Sequence, residues 1–410
     1  MNDKESGKGP LHGKKIVLLA EYYASGGTRT YLKQLLDLYA ASGAEIVLVG
    51  LKTAPDCEIA EWLEKYGFEY MCYWNILGKD VTSSSEATPG IWSPYFIRKE
   101  RKAFRRHLKS EAVDGIVVSA GTPGQFAGAA GAAARGMYIL HTYPHGRRQR
   151  YLGRWVMRNS LKKVGQLVAV SDFQKREMTR LWRLGQRSSR VIVIRNTAGN
   201  PLTELGRPDR VPFVVMTASW LEPYKEPWEW LQVARGVSQE MGSEQVRFVW
   251  LGEGSMLSLC REAVENAPNG VHVEFAGPQD DLSEAYSQAD VYLQMSSIEN
   301  MSLSVIEALR YGTPAVCTNV GGLPEIVVDG KTGVLIPVHD PNAAAAAVVS
   351  LLKNRELRIG MSSSASRRYQ MEFSYDKWSA QMLTVHVRVF VRMHTGEAGP
   401  TELSHGKTQL

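Results

Sequence analysis

The sequence predicts an α/β protein of two doubly wound parallel-sheet domains, and three observations carry that expectation. Short β-branched runs alternate with longer amphipathic stretches along most of the chain. The runs are apolar at nearly every position, as strands covered on both faces must be. A polar stretch containing Pro and Gly, Thr197 to Pro212, divides the alternation into two series, and 410 residues comfortably fill two cores.

The first series places strands at Lys15–Ala20, Glu45–Leu51, Gly115–Ala120, Met137–Thr142, Gln166–Ser171 and Val191–Asn196. The second places them at Phe213–Trp220, Val246–Gly252, Val271–Gly277, Val291–Ser296, Pro314–Asn319 and Gly333–Pro337. The expected organisation is a disordered N-terminus (1–13), a first domain (14–200), a linker (201–212) and a second domain (213–372). A helix (373–393) packs back on the first domain, and a disordered tail (394–410) follows. Ligands of such folds sit at the carboxyl ends of the strands and in the cleft between domains.

Composition narrows the function classes. Apolar content is 44% and charged content 22%, ordinary for a globular protein. No apolar run approaches the ~20 residues that cross a bilayer, and Met1 to Lys15 lacks the apolar stretch of a secretory signal. Cys57, Cys72, Cys260 and Cys317 form no Cys-x-x-Cys pair and read as reduced thiols, which implies a cytoplasmic location. Residues 1–200 hold 31 Lys and Arg against 17 Asp and Glu, so an overall charge of +6 conceals +14 in the first half. Such a field suits a phosphorylated acceptor or an anionic membrane surface. No nucleic-acid-binding motif accompanies it.

The segment richest in chemistry runs from strand Val291–Ser296 through Glu299-Asn300-Met301-Ser302-Leu303 to Glu307. Glu299 lies in the loop at the strand's carboxyl end, and a helix is expected to start near Ser302. The N–H groups of Ser302 and Leu303 would then face an anion. Glu307, about one and a half turns in, could accept two hydrogen bonds from a ribose diol. Taken alone, a solvated loop Glu and a surface ion pair would be the better explanation of the two carboxylates, because most Glu residues are merely solvated. The segment continues as Gly312-Thr313-Pro314, then Gly321-Gly322-Leu323-Pro324-Glu325, then Asp329-Gly330-Lys331-Thr332-Gly333.

In this ordered set of about 50 residues the sequence resembles the retaining glycosyltransferases of family 4, which have the GT-B fold. That family shows two Glu separated by seven residues, a Gly-Thr-Pro turn, a Gly-Gly-x-x-Glu loop and an Asp-Gly-x-x-Gly turn. The resemblance implies a donor site for a nucleoside diphosphate sugar, with no cofactor required. Glu299 would hold sugar hydroxyls and Glu307 the donor ribose. Lys225, in Ser219-Trp220-Leu221-Glu222-Pro223-Tyr224-Lys225, matches the family Lys that holds the diphosphate, whereas Trp220 stands where the family has Arg. Trp220 is read as core filler, with stacking on a sugar as the alternative; Asn300 is a second candidate sugar contact. Gly26 and Gly27 match the family loop against donor phosphate and acceptor, His141 matches a family His that contacts the transferred sugar, and Gly252-Glu253 matches a turn lining the donor cleft. Ser171 and Asn196 match landmarks read as structural. Asn300-Met301-Ser302 departs from the usual Gly-aromatic-Gly, which with Trp220 keeps open a non-catalytic sugar-nucleotide-binding protein, or an epimerase or phosphorylase on the same fold.

No His-Glu-x-x-His or Asp-x-Asp occurs, so no metal site is expected. Gly330-Lys331-Thr332 lacks the upstream Gly of a phosphate-binding loop. Two basic stretches remain. Arg98, Lys99, Arg101, Lys102, Arg105 and Arg106 lie on a helix whose narrow apolar face is Ile97, Phe104 and Leu108, and Arg147, Arg148 and Arg150 form a second cluster. They are read either as a membrane and acceptor surface, peripheral on the inner face of the cell membrane, or as ordinary solvated helix faces.

Overall fold

The computed structural model describes residues 9–21, 26–78, 94–121, 125–133, 135–142, 154, 164–202, 211–265 and 271–391. Strands form where the apolar β-branched runs predict them. The first sheet holds β1 (Lys15–Ala20), β2 (Glu45–Gly50), β3 (Glu69–Cys72), β4 (Gly115–Ala120), β5 (Gly136–Leu140), β6 (Gln166–Ala169) and β7 (Val191–Val193). The second holds β8 (Phe213–Ala218), β9 (Val246–Leu251), β10 (His272–Gly277), β11 (Val291–Gln294), β12 (Ala315–Thr318) and β13 (Gly333–Ile336). Every pairing is parallel, in the orders β3-β2-β1-β4-β5-β6-β7 and β10-β9-β8-β11-β12-β13.

Strand β3 was not expected. Its Glu-Tyr-Met-Cys is short, carries only one fully buried side chain and lies at a sheet edge, so it has none of the continuous apolar signal of the central strands. The N-terminus is a second correction. Residues 9–13 are not disordered: Leu11 is fully buried, and its N–H donates to the Ser42 carbonyl. One apolar side chain in a polar stretch is enough to anchor it. Most of the expected linker, the tail from 394, and Arg147, Arg148 and Arg150 lie outside the described residues.

In each sheet the strand order reverses once, between β1 and β4 and between β8 and β11. Helices on either side diverge at such a point and leave a crevice at the strands' carboxyl ends. Both sheets bury apolar side chains on both faces, which gives each domain two core layers.

The helix Tyr375–Phe390 returns to the first domain, as expected. Its residues Trp378, Met382, Val385 and Val389 recur at three- and four-residue spacing and pack with Leu18, Tyr31, Leu35 and Tyr39. Its last carbonyls are capped from that domain, with Arg135 Nη1 donating to the Phe390 oxygen at 2.6 Å. On the same face His386 is fully buried. Its Nδ1 lies 2.7 Å from the Met382 carbonyl, which only accepts, so Nδ1 carries the proton and Nε2 accepts from the Tyr39 hydroxyl at 2.7 Å.

Burial pushes the His386 pKa down to about 4 from an ordinary 6.5. A depressed histidine stabilises the fold in its neutral form. Its contribution is therefore complete above pH 6.5 and lost as the pH falls through 4. Denaturant melts of wild type and His386→Gln should differ most at pH 7, with the gap closing by roughly 2–3 kcal/mol toward pH 4. A gap that is flat with pH would contradict a neutral buried His386.

Candidate functional site

The two crevices face one another. In the second domain, the segments after β8 and β11 bring Lys225 and Glu299 together at the reversal point, with Nζ and Oε2 2.6 Å apart and side chains only 11% and 13% exposed. Gln294 Nε2 donates to the same Glu299 oxygen at 3.1 Å, and the Asn300 N–H approaches the other at 3.3 Å. Gln294 also donates to Ser296 Oγ at 2.6 Å, while Thr318 holds the Ser296 carbonyl at 2.6 Å. The Glu299 loop is thus tied to β11 and β12. Lys225 lies 5.4 Å from the Tyr224 ring centroid.

Glu307 is the fifth residue of the helix Leu303–Arg310. Burial raises its pKa, opposed by a hydrogen bond from Tyr286 and by the charge of Arg310. Ser302 is the N-cap of this helix, not its first residue, and its hydroxyl accepts the Val305 N–H at 3.4 Å. Leu303 turns its side chain toward the first domain, where a β-carbon on Gly27 would lie 2.9 Å from its Cδ1.

Gly26 caps the helix Gly27–Ser42 with φ +99°, a conformation L side chains rarely adopt. A β-carbon there would meet the Trp220 indole nitrogen at 3.2 Å. Trp220 is therefore not core: it is 37% exposed and stands in the cleft against the Gly26-Gly27 loop. Its place as the last residue of the expected strand Phe213–Trp220 put it among apolar strand residues in the sequence, but the strand stops at Ala218. Gly252 and Gly254 lie against the Ser219 and Leu221 carbonyls, with Leu221 N–H donating to the Glu253 carbonyl at 2.8 Å. The Glu253 side chain is exposed.

His141 follows β5. Its Nε2 lies 2.9 Å from Ser119 Oγ, its ring meets the edge of Tyr31 at 4.4 Å between centroids, and burial pushes its pKa down to about 4. A neutral imidazole at that position can donate or accept one hydrogen bond without carrying charge. A residue that sequence reasoning missed sits at the first domain's reversal point. Glu21, just past β1, is buried and accepts the Gly121 N–H at 2.7 Å across to β4. It belongs to no motif, and only the sheet order reveals its place.

Several groups cross between domains. Asn300 Nδ2 donates to the His141 carbonyl at 2.7 Å, and its Oδ1 accepts from Ser171 Oγ at 2.7 Å, so the amide of this candidate sugar contact is engaged at both ends. Asn196 Nδ2 donates to the Met301 carbonyl at 3.2 Å. Glu325 accepts the N–H groups of Asp172 and Phe173 at 2.9 and 2.6 Å, capping the helix Asp172–Trp182 of the other domain. Ser171 and Asn196, read as structural, thus do their structural work across the cleft.

The basic helix forms over Pro94–Ser110. Ile97, Ala103 and Phe104 face inward with Glu100, and Arg98, Lys99, Lys102, Arg105 and Arg106 are exposed, as is Tyr95 at 77%. Arg101 is half-buried over Gly131, and Arg105 Nε reaches the Ala132 carbonyl at 3.4 Å. Among the described residues, Glu226, Glu229 and His339 bring ligand atoms within 4.8 Å of one another, but His339 already pairs with Glu229 at 2.5 Å. No helix of the described residues is long and apolar enough to cross a membrane. All four cysteines are free.

Comparison with known proteins finds relatives of both domains. Residues 204–368 match the model of the glycosyl transferases group 1, and residues 25–198 that of glycosyltransferase family 4. The chain is 31% identical to N-acetyl-alpha-D-glucosaminyl L-malate synthase of Bacillus anthracis over 35% of its length and 38% of that protein's. It is 34% identical to D-inositol 3-phosphate glycosyltransferase of Salinispora arenicola over 44% and 42% of the two. It thus spans about two fifths of the length of these curated relatives. Among solved structures, a glycosyltransferase from Rickettsia africae superposes with a TM-score of 0.69 at 17% identity, over 92% of this chain and 99% of that one. Anabaena HepE in complex with UDP and glucose gives 0.68 at 18%, over 91% and 99%. These structures share the GT-B fold of two facing Rossmann-like domains.

Proposed function

The chain belongs to the group 1 glycosyltransferases of family 4, and from that premise we propose that it moves a sugar from a nucleoside diphosphate sugar to an acceptor hydroxyl with retained anomeric configuration. The observation that carries the reading is the Lys225–Glu299 pair at the reversal point of the second sheet, with Glu307 behind it and Gly26-Gly27 opposite. Donor binding exchanges partners within this pair: Lys225 turns to the diphosphate, and Glu299 is released to accept sugar hydroxyls. Glu307 accepts the ribose diol. The bond from the anomeric carbon to the phosphate oxygen breaks as the acceptor oxygen bonds to the same carbon on the same face. The departing phosphate takes the acceptor's proton, so no separate base is needed. The main work is stabilising the charge on that phosphate, by Lys225 and by the backbone of the Gly26-Gly27 loop. Neutral His141 approaches the sugar from the first domain without adding charge. No metal or cofactor enters this scheme.

Charge supports an anionic acceptor. The two relatives named above act, by name, on L-malate and on D-inositol 3-phosphate, both anionic. The +14 of residues 1–200 suits an acceptor of that kind or one held in an anionic membrane, as in cytoplasmic synthesis of a glycolipid, polysaccharide or envelope glycan. On the membrane reading, the exposed Arg98, Lys99, Lys102 and Arg106, with Tyr95, form the contact face. A non-catalytic sugar-nucleotide-binding protein is the second reading. Trp220 favours it, because an indole supplies no charge where the family has a guanidinium.

A panel of sugar nucleotides, scored by melting temperature and nucleotide release, identifies the donor and separates the two readings, since a binder shifts its melting temperature with every release rate at background. Glu307→Ala should weaken nucleotide binding about 10- to 100-fold by calorimetry. Glu299→Gln should leave it unchanged or tighter, because Lys225 loses its competing partner, while transfer falls by roughly 10²–10³. Full transfer in both variants would refute the assignment. On the membrane reading, vesicles containing phosphatidylserine should bind the protein at low salt and release it as ionic strength rises through about 0.15 M, and Lys102→Glu with Arg106→Glu should weaken that binding. Salt-independent binding, or none, would remove the membrane surface from the proposal.

A further inference from the structure

Asn300 sits between the two groups on which the proposed reaction depends, yet both ends of its side chain are occupied by the first domain. The chemistry fixes its orientation. The His141 carbonyl can only accept, so the nitrogen end must face it, and the 2.7 Å contact is Nδ2 donating. That leaves Oδ1 toward Ser171 Oγ at 2.7 Å. Ser171 is the N-cap of the helix Asp172–Trp182, and its oxygen already accepts the Gln174 N–H at 2.9 Å. Its single proton is therefore free to donate to Asn300. One amide thus satisfies an acceptor and a donor of the opposite domain at once, in a residue only 8% exposed. The Asn300 main chain is held as firmly from its own domain: its N–H faces Glu299 Oε1 at 3.3 Å, and Gly322 packs against its carbonyl.

We infer that Asn300 is a positioning residue that sets the separation of the two domains at the cleft and thereby places His141 against the Glu299 loop. It acts with two further seams, Asn196 on the Met301 carbonyl and Glu325 on the first turn of the helix Asp172–Trp182. Of these three seams only the Asn300 amide bonds to His141 itself, so loss of its amide lets His141 move away from Glu299 while the nucleotide side of the site, centred on Glu307, stays intact. The catalytic consequence rests on the proposed transfer reaction; the closure itself does not.

The test compares wild type with Asn300→Ala, Asn300→Asp, Ser171→Ala, Ser171→Thr and the double variant Asn300→Ala/Ser171→Ala. Transfer kinetics, UDP affinity and small-angle scattering of the unliganded protein are the readouts. Asn300→Ala should lower kcat at least about tenfold with UDP affinity within about threefold of wild type. Asn300→Asp, which sets an oxygen against the His141 carbonyl, should do no better than Ala despite equal size. Ser171→Ala should be impaired and Ser171→Thr largely restored. The double variant should be no worse than Asn300→Ala in kcat, because the two side chains share one interaction. The radius of gyration should rise in Asn300→Ala. An unchanged radius, additive losses in the double variant or wild-type kcat in Asn300→Ala would each overturn the inference. If no donor on the panel is turned over, the transfer reaction fails while scattering still decides whether Asn300 holds the domains together.

Discussion

The contact on which the site depends is the approach of Gly321-Gly322 to the backbone of Glu299 and Asn300. A β-carbon on Gly321 would overlap the Glu299 carbonyl oxygen, and one on Gly322 would overlap that of Asn300. No side chain fits in either place, and the φ of +61° at Gly321 is itself a glycine conformation. Because the two loops touch main chain to main chain, the β11 loop has little freedom. Glu299 is held toward Lys225, and Asn300 toward His141. The same glycine turn starts the short helix Leu323–Ile326, which delivers Glu325 to the other domain's helix. One close approach therefore places the carboxylate of the site and two of the groups that cross the cleft.

The electrostatics of the resting cleft follow from that placement. Lys225 and Glu299 are mostly shielded from water and 2.6 Å apart, so each offsets the cost of burying the other. Neither is then a free charge awaiting a ligand. In the proposed reaction a diphosphate brings the counter-charge that lets the pair separate, and a sugar brings the hydroxyls that re-satisfy Glu299. Trp220 changes the balance. It contributes no cation, and its indole fills the space beside Gly26 instead. On the proposed function, attraction of the donor diphosphate then falls to Lys225, the backbone N–H groups and the general positive field of the first half of the chain.

The two doubly wound domains were legible because central parallel strands must be apolar on both faces, which leaves runs such as Ile-Val-Leu-Leu-Ala and Glu-Ile-Val-Leu-Val-Gly in the sequence. The C-terminal helix was legible from its spacing of apolar residues, and its return to the first domain from the fold that the resemblance implies. Edge strand β3 was not, since an edge needs only half the burial. Leu11 was not, since a single anchoring side chain makes no pattern.

By itself the sequence determined the fold and the order of the motifs, because apolar periodicity and fixed glycine and carboxylate spacings are local properties of the chain. Only the tertiary structure decided what those residues do to one another. It paired Lys225 with Glu299, moved Trp220 from the core into the cleft, set Glu21 across from Gly121 and committed the Asn300 amide to the opposite domain. Each of these joins residues at least 70 positions apart, or depends on where a strand ends, and neither is written in any local pattern.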